Sequence, residues 1–161
     1  MSKLRLYLET TVFNYFFDQE RDGHEDTVRI FEAIGRGEYE AYTSRYVTIE
    51  LEQAPEPKRT NMLALIERYG IILQETDDET VRMTKLYLHE SALPAKCVLD
   101  SAHIAIATVN NLDCILSFNF QHINRLKTKR LTADINVREK YKSIIITTPK
   151  EVLDDEKADP C

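Results

Sequence analysis

The stretch Leu4-Arg5-Leu6-Tyr7-Leu8 limits the fold more than any other. It is mostly apolar and shows no strict in-and-out alternation. Such a run reads as a buried, central strand covered on both faces, which is the habit of parallel sheets. It leads straight into Glu9, two threonines and a further apolar run. In open α/β sheets ligands bind just past the carboxyl ends of the strands. Glu9 therefore stands at a functional address.

The rest of the chain repeats the alternation. Val12 to Phe17 reads as a helix capped by Thr10 or Thr11, and Glu25 to Gly35 as another, with Val28, Phe31 and Ile34 at helical spacing. Tyr39 to Thr43 is a second strand, after which Ser44 caps a helix ended by Pro55 and Pro57. A helix over Lys58 to Tyr69 precedes the strand Ile71-Ile72-Leu73. Asp77 or Asp78 caps a helix to Ser91, whose apolar positions are Val81, Leu86 and Leu88. Val98 to Asn110 is apolar nearly all round and reads as a buried helix, with Asn111 at its C-cap. Cys114 to Leu116 is the fourth strand, Lys127 to Tyr141 mostly helix, and Ser143 to Thr147 the fifth strand. Strands alternating with helices call for a three-layer α/β/α fold with a central parallel sheet of about five strands. Residues 1–153 read as one domain, with 154–161 as a charged, disordered tail.

Composition narrows the function classes. The formal charge of −6 argues against a broad basic face for nucleic acid. It does not exclude a metal-dependent enzyme acting on a phosphodiester, because a bound cation reverses the local sign. The three cysteines, Cys97, Cys114 and Cys161, show no CxxC pairing, so neither a disulfide framework nor a zinc site is expected. There is no apolar run of about 18 residues, so no membrane span is expected, and the cytoplasm is the default location.

Four oxygen-bearing side chains fall at comparable addresses. Glu9 follows the first strand, Glu50 lies on the helix after the second, Asp100 begins the buried helix, and Asn119 follows the fourth strand. Hard cations such as Mg²⁺ or Mn²⁺ take oxygen ligands. Grouped carboxylates without a cation repel one another. Taken singly, Glu50 reads as a solvated helix residue with Glu52 equally eligible, Asp100 as a helix-terminal acid and Asn119 as a turn residue. Glu9 is the least ordinary of the four, since an acid just after a buried strand is costly. His103, one turn after Asp100, reads as a packed histidine capping a backbone group, or as a donor to Asp100 or a metal-bound water. His24 and His89 read as surface residues. Arg125, Lys127, Lys129 and Arg130 follow Asn119 and suit either a nucleic-acid backbone or a solvated helix face.

These segments resemble the PIN-domain family. The carrying motifs are Tyr7-Leu8-Glu9-Thr10-Thr11-Val12, Ser44-Arg45-Tyr46-Val47-Thr48-Ile49-Glu50-Leu51, Asp100-Ser101-Ala102-His103-Ile104-Ala105 and Ser117-Phe118-Asn119-Phe120-Gln121-His122-Ile123. The resemblance spans Leu4 to Pro149 and favours Glu50 over Glu52. It implies a Mg²⁺- or Mn²⁺-dependent endoribonuclease, most commonly the VapC-like toxin of a type II toxin–antitoxin pair. Its implied partners are an RNA substrate, a cognate antitoxin and a second copy of the chain. Glu9, Asp100 and Glu50 would hold metal and water, Asn119 would back them or serve a second metal, and Thr11, Ser117 and His103 would support them. Arg125, Lys127, Lys129 and Arg130 would meet RNA. Glu9 and Asn119 depart from the family's usual aspartates. That departure keeps a weakened or inactive PIN-like module, binding RNA or a protein partner, as the rival reading. A dehalogenase-like phosphatase needs an aspartate nucleophile after the first strand, which Glu9-Thr10-Thr11 lacks.

Overall fold

The computed structural model describes residues 2–155. Five strands, β1 (Arg5–Leu8), β2 (Glu40–Ser44), β3 (Ile72–Gln74), β4 (Cys114–Leu116) and β5 (Ile145–Thr147), form one sheet in the order β3-β2-β1-β4-β5. Every pairing is parallel. Tyr7 lies between Tyr42 and Ile115, and Leu6, Tyr7 and Leu8 are fully buried. The first strand is thus the central one, as its apolar run requires.

Eight helices flank the sheet in the described residues: α1 (Thr10–Phe17), α2 (His24–Gly35), α3 (Arg45–Leu51), α4 (Lys58–Arg68), α5 (Asp78–His89), α6 (Val98–Val109), α7 (Leu126–Arg138) and α8 (Pro149–Asp155). The architecture is the expected three-layer α/β/α. Helix α1 packs on α2, α3 and α4, and α5 packs on α6. Helix α3 also meets α6, which brings two separate helices together beyond the sheet's carboxyl edge.

Local expectations differ from the structure in identifiable places. Neither Thr10 nor Thr11 caps α1; both lie inside it, and Glu9 occupies the N-cap position with its side chain turned elsewhere. Asn110 is the C-cap of α6, and Asn111 follows in a left-handed conformation (φ 55°), which asparagine tolerates. Asp154 and Asp155 complete α8 instead of starting a tail, because Pro149 sets the first turn of that helix. Residues 156–161 of the expected tail lie outside the described residues. His24 is half-buried, with Nδ1 against the Tyr15 carbonyl at 2.8 Å.

The buried stripe of α5 was misplaced in the sequence reading. Thr80, Met83, Thr84 and Tyr87 face the core, while Val81 is exposed and Leu86 and Leu88 only partly covered. Polar tips hid this face. Thr84 Oγ1 donates to the Thr80 carbonyl at 2.8 Å, and the buried Tyr87 hydroxyl donates to Asn136 Oδ1. Asn136 Nδ2 in turn donates to Thr108 Oγ1 at 3.2 Å, so one buried polar group ties α5, α6 and α7. Asn136→Ala would remove two of the three bonds in this buried group and leave only that between the Tyr87 hydroxyl and Thr108 Oγ1 at 3.1 Å. The expected cost is about 2–3 kcal/mol, read as a lower urea midpoint at unchanged slope.

Candidate active site

The site starts from a buried charge. Glu9 is only 2% exposed, and its backbone N–H donates to the Leu116 carbonyl at 3.1 Å, continuing the sheet one residue past β1. Two hydroxyls reach its side chain. Thr11 Oγ1 donates to Oε1 at 2.6 Å, and Ser117 Oγ donates to the same oxygen at 2.7 Å. In the described residues no hydrogen bond reaches Oε2. The same hydroxyls fix the loop after β4: Phe118 N–H donates to Thr11 Oγ1 at 2.8 Å, and Asn119 N–H donates to Ser117 Oγ at 3.0 Å.

Burial pushes the Glu9 carboxyl above the usual glutamate range. His103 and the two hydroxyls pull it back, while nearby Glu50 pushes it further up. A glutamate, not an aspartate, spans from the N-cap position to both hydroxyls here.

Glu50 and His103 close the second side. His103 is fully buried, and its Nε2 meets Glu50 Oε1 at 2.6 Å. Its Nδ1 meets the Tyr7 hydroxyl at 2.7 Å, and that hydroxyl lies 2.6 Å from Ser44 Oγ. Ser44 Oγ accepts from Tyr46 N–H at 3.2 Å, which makes Ser44 both the cap of α3 and the end of this chain. Nε2 donates to Glu50 and Nδ1 is engaged by the Tyr7 hydroxyl, so both ring nitrogens have partners; these proton positions are assigned from the network. Burial also raises the Tyr7 hydroxyl well above its ordinary value, so it stays a donor. His103 therefore neither caps a backbone group nor donates to Asp100, as the sequence suggested; it orients Glu50. Glu52 is exposed at the C-cap of α3, whereas Glu50 turns inward.

Ligand atoms from Glu9, Glu50 and His103 lie within 4.8 Å of one another. Asp100 sits one helical turn before His103, in the first turn of α6, where the helix dipole favours an acid. Its Oδ1 faces Asn119 Nδ2 at 3.5 Å, and Asn119 Oδ1 accepts from His122 N–H at 3.0 Å. Glu9, Thr11, Ser117, Glu50 and His103 thus gather past the carboxyl ends of the strands, and among the described residues Asp100 reaches them only through Asn119, whose N–H donates to Ser117. The donor set fits a hard divalent cation. It offers carboxylate oxygens, one with a free Oε2, and the close acids Glu9 and Glu50 would repel less with a cation between them.

The basic residues are less concerted. Arg125 and Lys127 are exposed and line a hollow of about 160 Å³ with Leu93, Pro94 and Ala95, by the end of α5 and the link that follows it. Lys129 is half-buried, set about 200° round α7 from Lys127. Among the described residues none of Arg125, Lys127, Lys129 and Arg130 forms an ion pair. Sequence reasoning missed Tyr7 and Ser44, because a tyrosine inside an apolar strand and a serine at a helix start both have ordinary structural explanations.

Burial makes the Glu9 charge a liability in the metal-free chain. The folded state holds its proton to higher pH than the unfolded state does. Stability therefore falls as pH rises from the unfolded pKa through the raised folded one, and stays lower above it. Glu9→Gln keeps an acceptor for Thr11 and Ser117 but carries no charge. Its metal-free melting temperature should exceed that of the wild type by a few degrees at about pH 8, with the gap closing near pH 4. Thermal unfolding in chelator across that range checks it.

Sequence comparison gives neither a matching family profile nor a curated relative. Solved structures do match. VapC20 of Mycobacterium tuberculosis, a Sarcin-Ricin loop cleaving toxin, superposes with a TM-score of 0.57 at 10% identity, covering 72% of this chain and 91% of that one. VapBC2 of Rickettsia felis, solved bound to a DNA fragment from its promoter, superposes at 0.54 and 11% identity, covering 89% and 97%. At such identities the likeness is one of fold, a PIN-like three-layer α/β/α. In the described residues no helix is long and apolar enough to cross a membrane.

Proposed function

We propose that this chain is a metal-dependent endoribonuclease, acting in the cytoplasm as the toxin of a type II toxin–antitoxin pair. The observation that supports it most is the buried Glu9 carboxylate, held by Thr11 and Ser117 beside Glu50 at the carboxyl end of the central strand. The fold shared with a Sarcin-Ricin loop cleaving toxin supports an RNA substrate. The likeness to VapBC2 supports an antitoxin partner, and a second copy of the chain is the further partner proposed.

Glu9, Glu50 and Asp100 would hold Mg²⁺ or Mn²⁺. A bound divalent cation lowers the pKa of a water and offsets charge building on the phosphorus. The protein's own contribution is positioning. Thr11 and Ser117 fix Oε1 of Glu9 and leave Oε2 for the ligand. His103, backed by Tyr7, fixes Glu50 from the other side. Asn119 faces Asp100 and carries no charge of its own, so it fits a supporting place better than a ligand's. Arg125 and Lys127 are free to meet a phosphate by the end of α5 and the link that follows it.

RNA cleavage is expected to require Mg²⁺ or Mn²⁺ and to fall at least a hundredfold in Asp100→Ala. Cleavage of a structured RNA, with and without chelator, measures both. Absence of metal-dependent cleavage, or equal cleavage by the variant, would return the chain to the rival reading of a PIN-like binding module. The hydroxyl pair is spaced for glutamate. Glu9→Asp should therefore retract the carboxylate and lower cleavage by roughly tenfold or more, as loss of ligand-orienting hydrogen bonds does elsewhere. A rise would mean that Glu9 restrains the site instead.

A further inference from the structure

A second group of ligand atoms lies on the other side of Asp100. Cys97 is the N-cap of α6, Asp100 is in its first turn, and His122 is in the loop that follows β4. One ligand atom from each lies within 4.8 Å of the other two. Cys97 is 7% exposed, and its thiol lies close to the Asp100 carboxylate. His122 Nδ1 is buried and makes no hydrogen bond at all. That is unusual, since a buried ring nitrogen without a partner forfeits a bond it had in water. The loop backbone is tied here as well, because the His122 backbone N–H donates to Asn119 Oδ1 at 3.0 Å.

We propose that Cys97, Asp100 and His122 form a binding site for a borderline-soft transition-metal ion such as Zn²⁺. Thiolate, imidazole and carboxylate are the usual zinc donors, and three of them leave a fourth tetrahedral position for water. With metal–ligand distances of about 2.0–2.3 Å, a tetrahedral ion needs its ligand atoms about 3.5 Å apart. The three atoms would have to close by at most about 1.3 Å, within the reach of side-chain torsion. Binding replaces the thiol proton, which leaves to solvent as the metal–sulfur bond forms. The unsatisfied imidazole nitrogen gains the partner it lacks. The site differs from the Glu9–Glu50–His103 group in its sulfur donor, and sulfur selects against Mg²⁺.

The two groups share no residue, but the proposed hard-cation site also draws on Asp100. A zinc ion on its carboxylate would take it from the hard-cation site, so Zn²⁺ would inhibit the nuclease. That consequence rests on the proposed activity; the binding itself rests on geometry alone.

Co²⁺ provides the test, because a cobalt–thiolate bond gives a near-ultraviolet charge-transfer band that oxygen and nitrogen ligands do not. The background is the full chain carrying Cys161→Ser, which removes the terminal thiol. One equivalent of Co²⁺ should produce the band, and Zn²⁺ should bleach it. Cys97→Ser should abolish the band. His122→Asn, at a half-exposed position, should weaken Zn²⁺ binding at least tenfold in a chelator competition. Circular dichroism of each variant checks that it is folded. Cobalt binding without the band, or a band that persists in folded Cys97→Ser, would overturn the site. In the RNA assay, stoichiometric Zn²⁺ should suppress Mg²⁺-dependent cleavage by the parent chain and spare Cys97→Ser. A chain that binds cobalt through sulfur but cuts no RNA would refute the nuclease and leave the zinc site standing.

Discussion

The Glu9 carboxylate is a buried acid that is costly to hold charged where it is, and much of the local structure answers to it. An isolated buried carboxylate would simply stay protonated. Here three influences oppose that: the imidazole of His103 and the hydroxyls of Thr11 and Ser117. Each comes from a different part of the chain. Thr11 is two residues away in the first turn of α1, Ser117 is at the end of the neighbouring strand, and His103 is on the buried helix α6. Removing any one of them disturbs more than Glu9. The same hydroxyls accept backbone N–H groups of Phe118 and Asn119, so the conformation of the β4 loop and the orientation of the acid are one problem with one solution.

Much of this was legible in the sequence because strand position is a strong constraint. Short apolar runs ending at Leu8, Ser44 and Leu116 must lie side by side if each is to be covered on both faces. Whatever follows them then converges at one edge. That reasoning brings Glu9, Asn119 and the α3 helix together without any knowledge of side-chain contacts. It also explains why Glu50 and Glu52 were equal until the resemblance was considered. Their difference is helix rotation, which depends on how α3 packs on α6, a contact 53 residues apart in the chain. The misread stripe of α5 has the same origin. Threonine and tyrosine count as polar by composition, yet Thr80, Thr84 and Tyr87 bury their carbon surface, the threonines satisfying their oxygens within one turn and Tyr87 across to α6 and α7.

His103 shows how a residue with an ordinary address acquires a particular task. On α6 it is one more buried side chain among Ala102, Ile104 and Ala105. What distinguishes it is that both ring nitrogens are engaged, one by Tyr7 from the central strand and one by Glu50 from α3. The ring therefore cannot turn without breaking a bond at each end. Glu50, whose side chain is 29% exposed, is thereby held by a partner that is wholly buried. A half-solvated glutamate ordinarily samples several rotamers, and ordering it costs entropy at the moment of binding. Prepaying that order in the folded protein is what makes the Glu50 position useful for a cation that tolerates little misplacement.

Charge sets a further condition on the proposed activity. The chain carries −6 overall, so an RNA phosphate approaching from a distance meets repulsion, not steering. At physiological salt that long-range field is screened within about 8 Å. Attraction must therefore come from cations close to the scissile bond. Arg125 and Lys127, exposed by the end of α5 and the link that follows it, would be two candidates under this proposal, and a site-bound divalent ion would be the third. Such an arrangement binds weakly to RNA in general, because few phosphates are neutralised. It favours a target whose folded shape presents one phosphate to the Glu9–Asp100 edge while its neighbours stay clear of the acidic surface. For the proposed nuclease, selectivity would then follow from the shape of the substrate around a single bond.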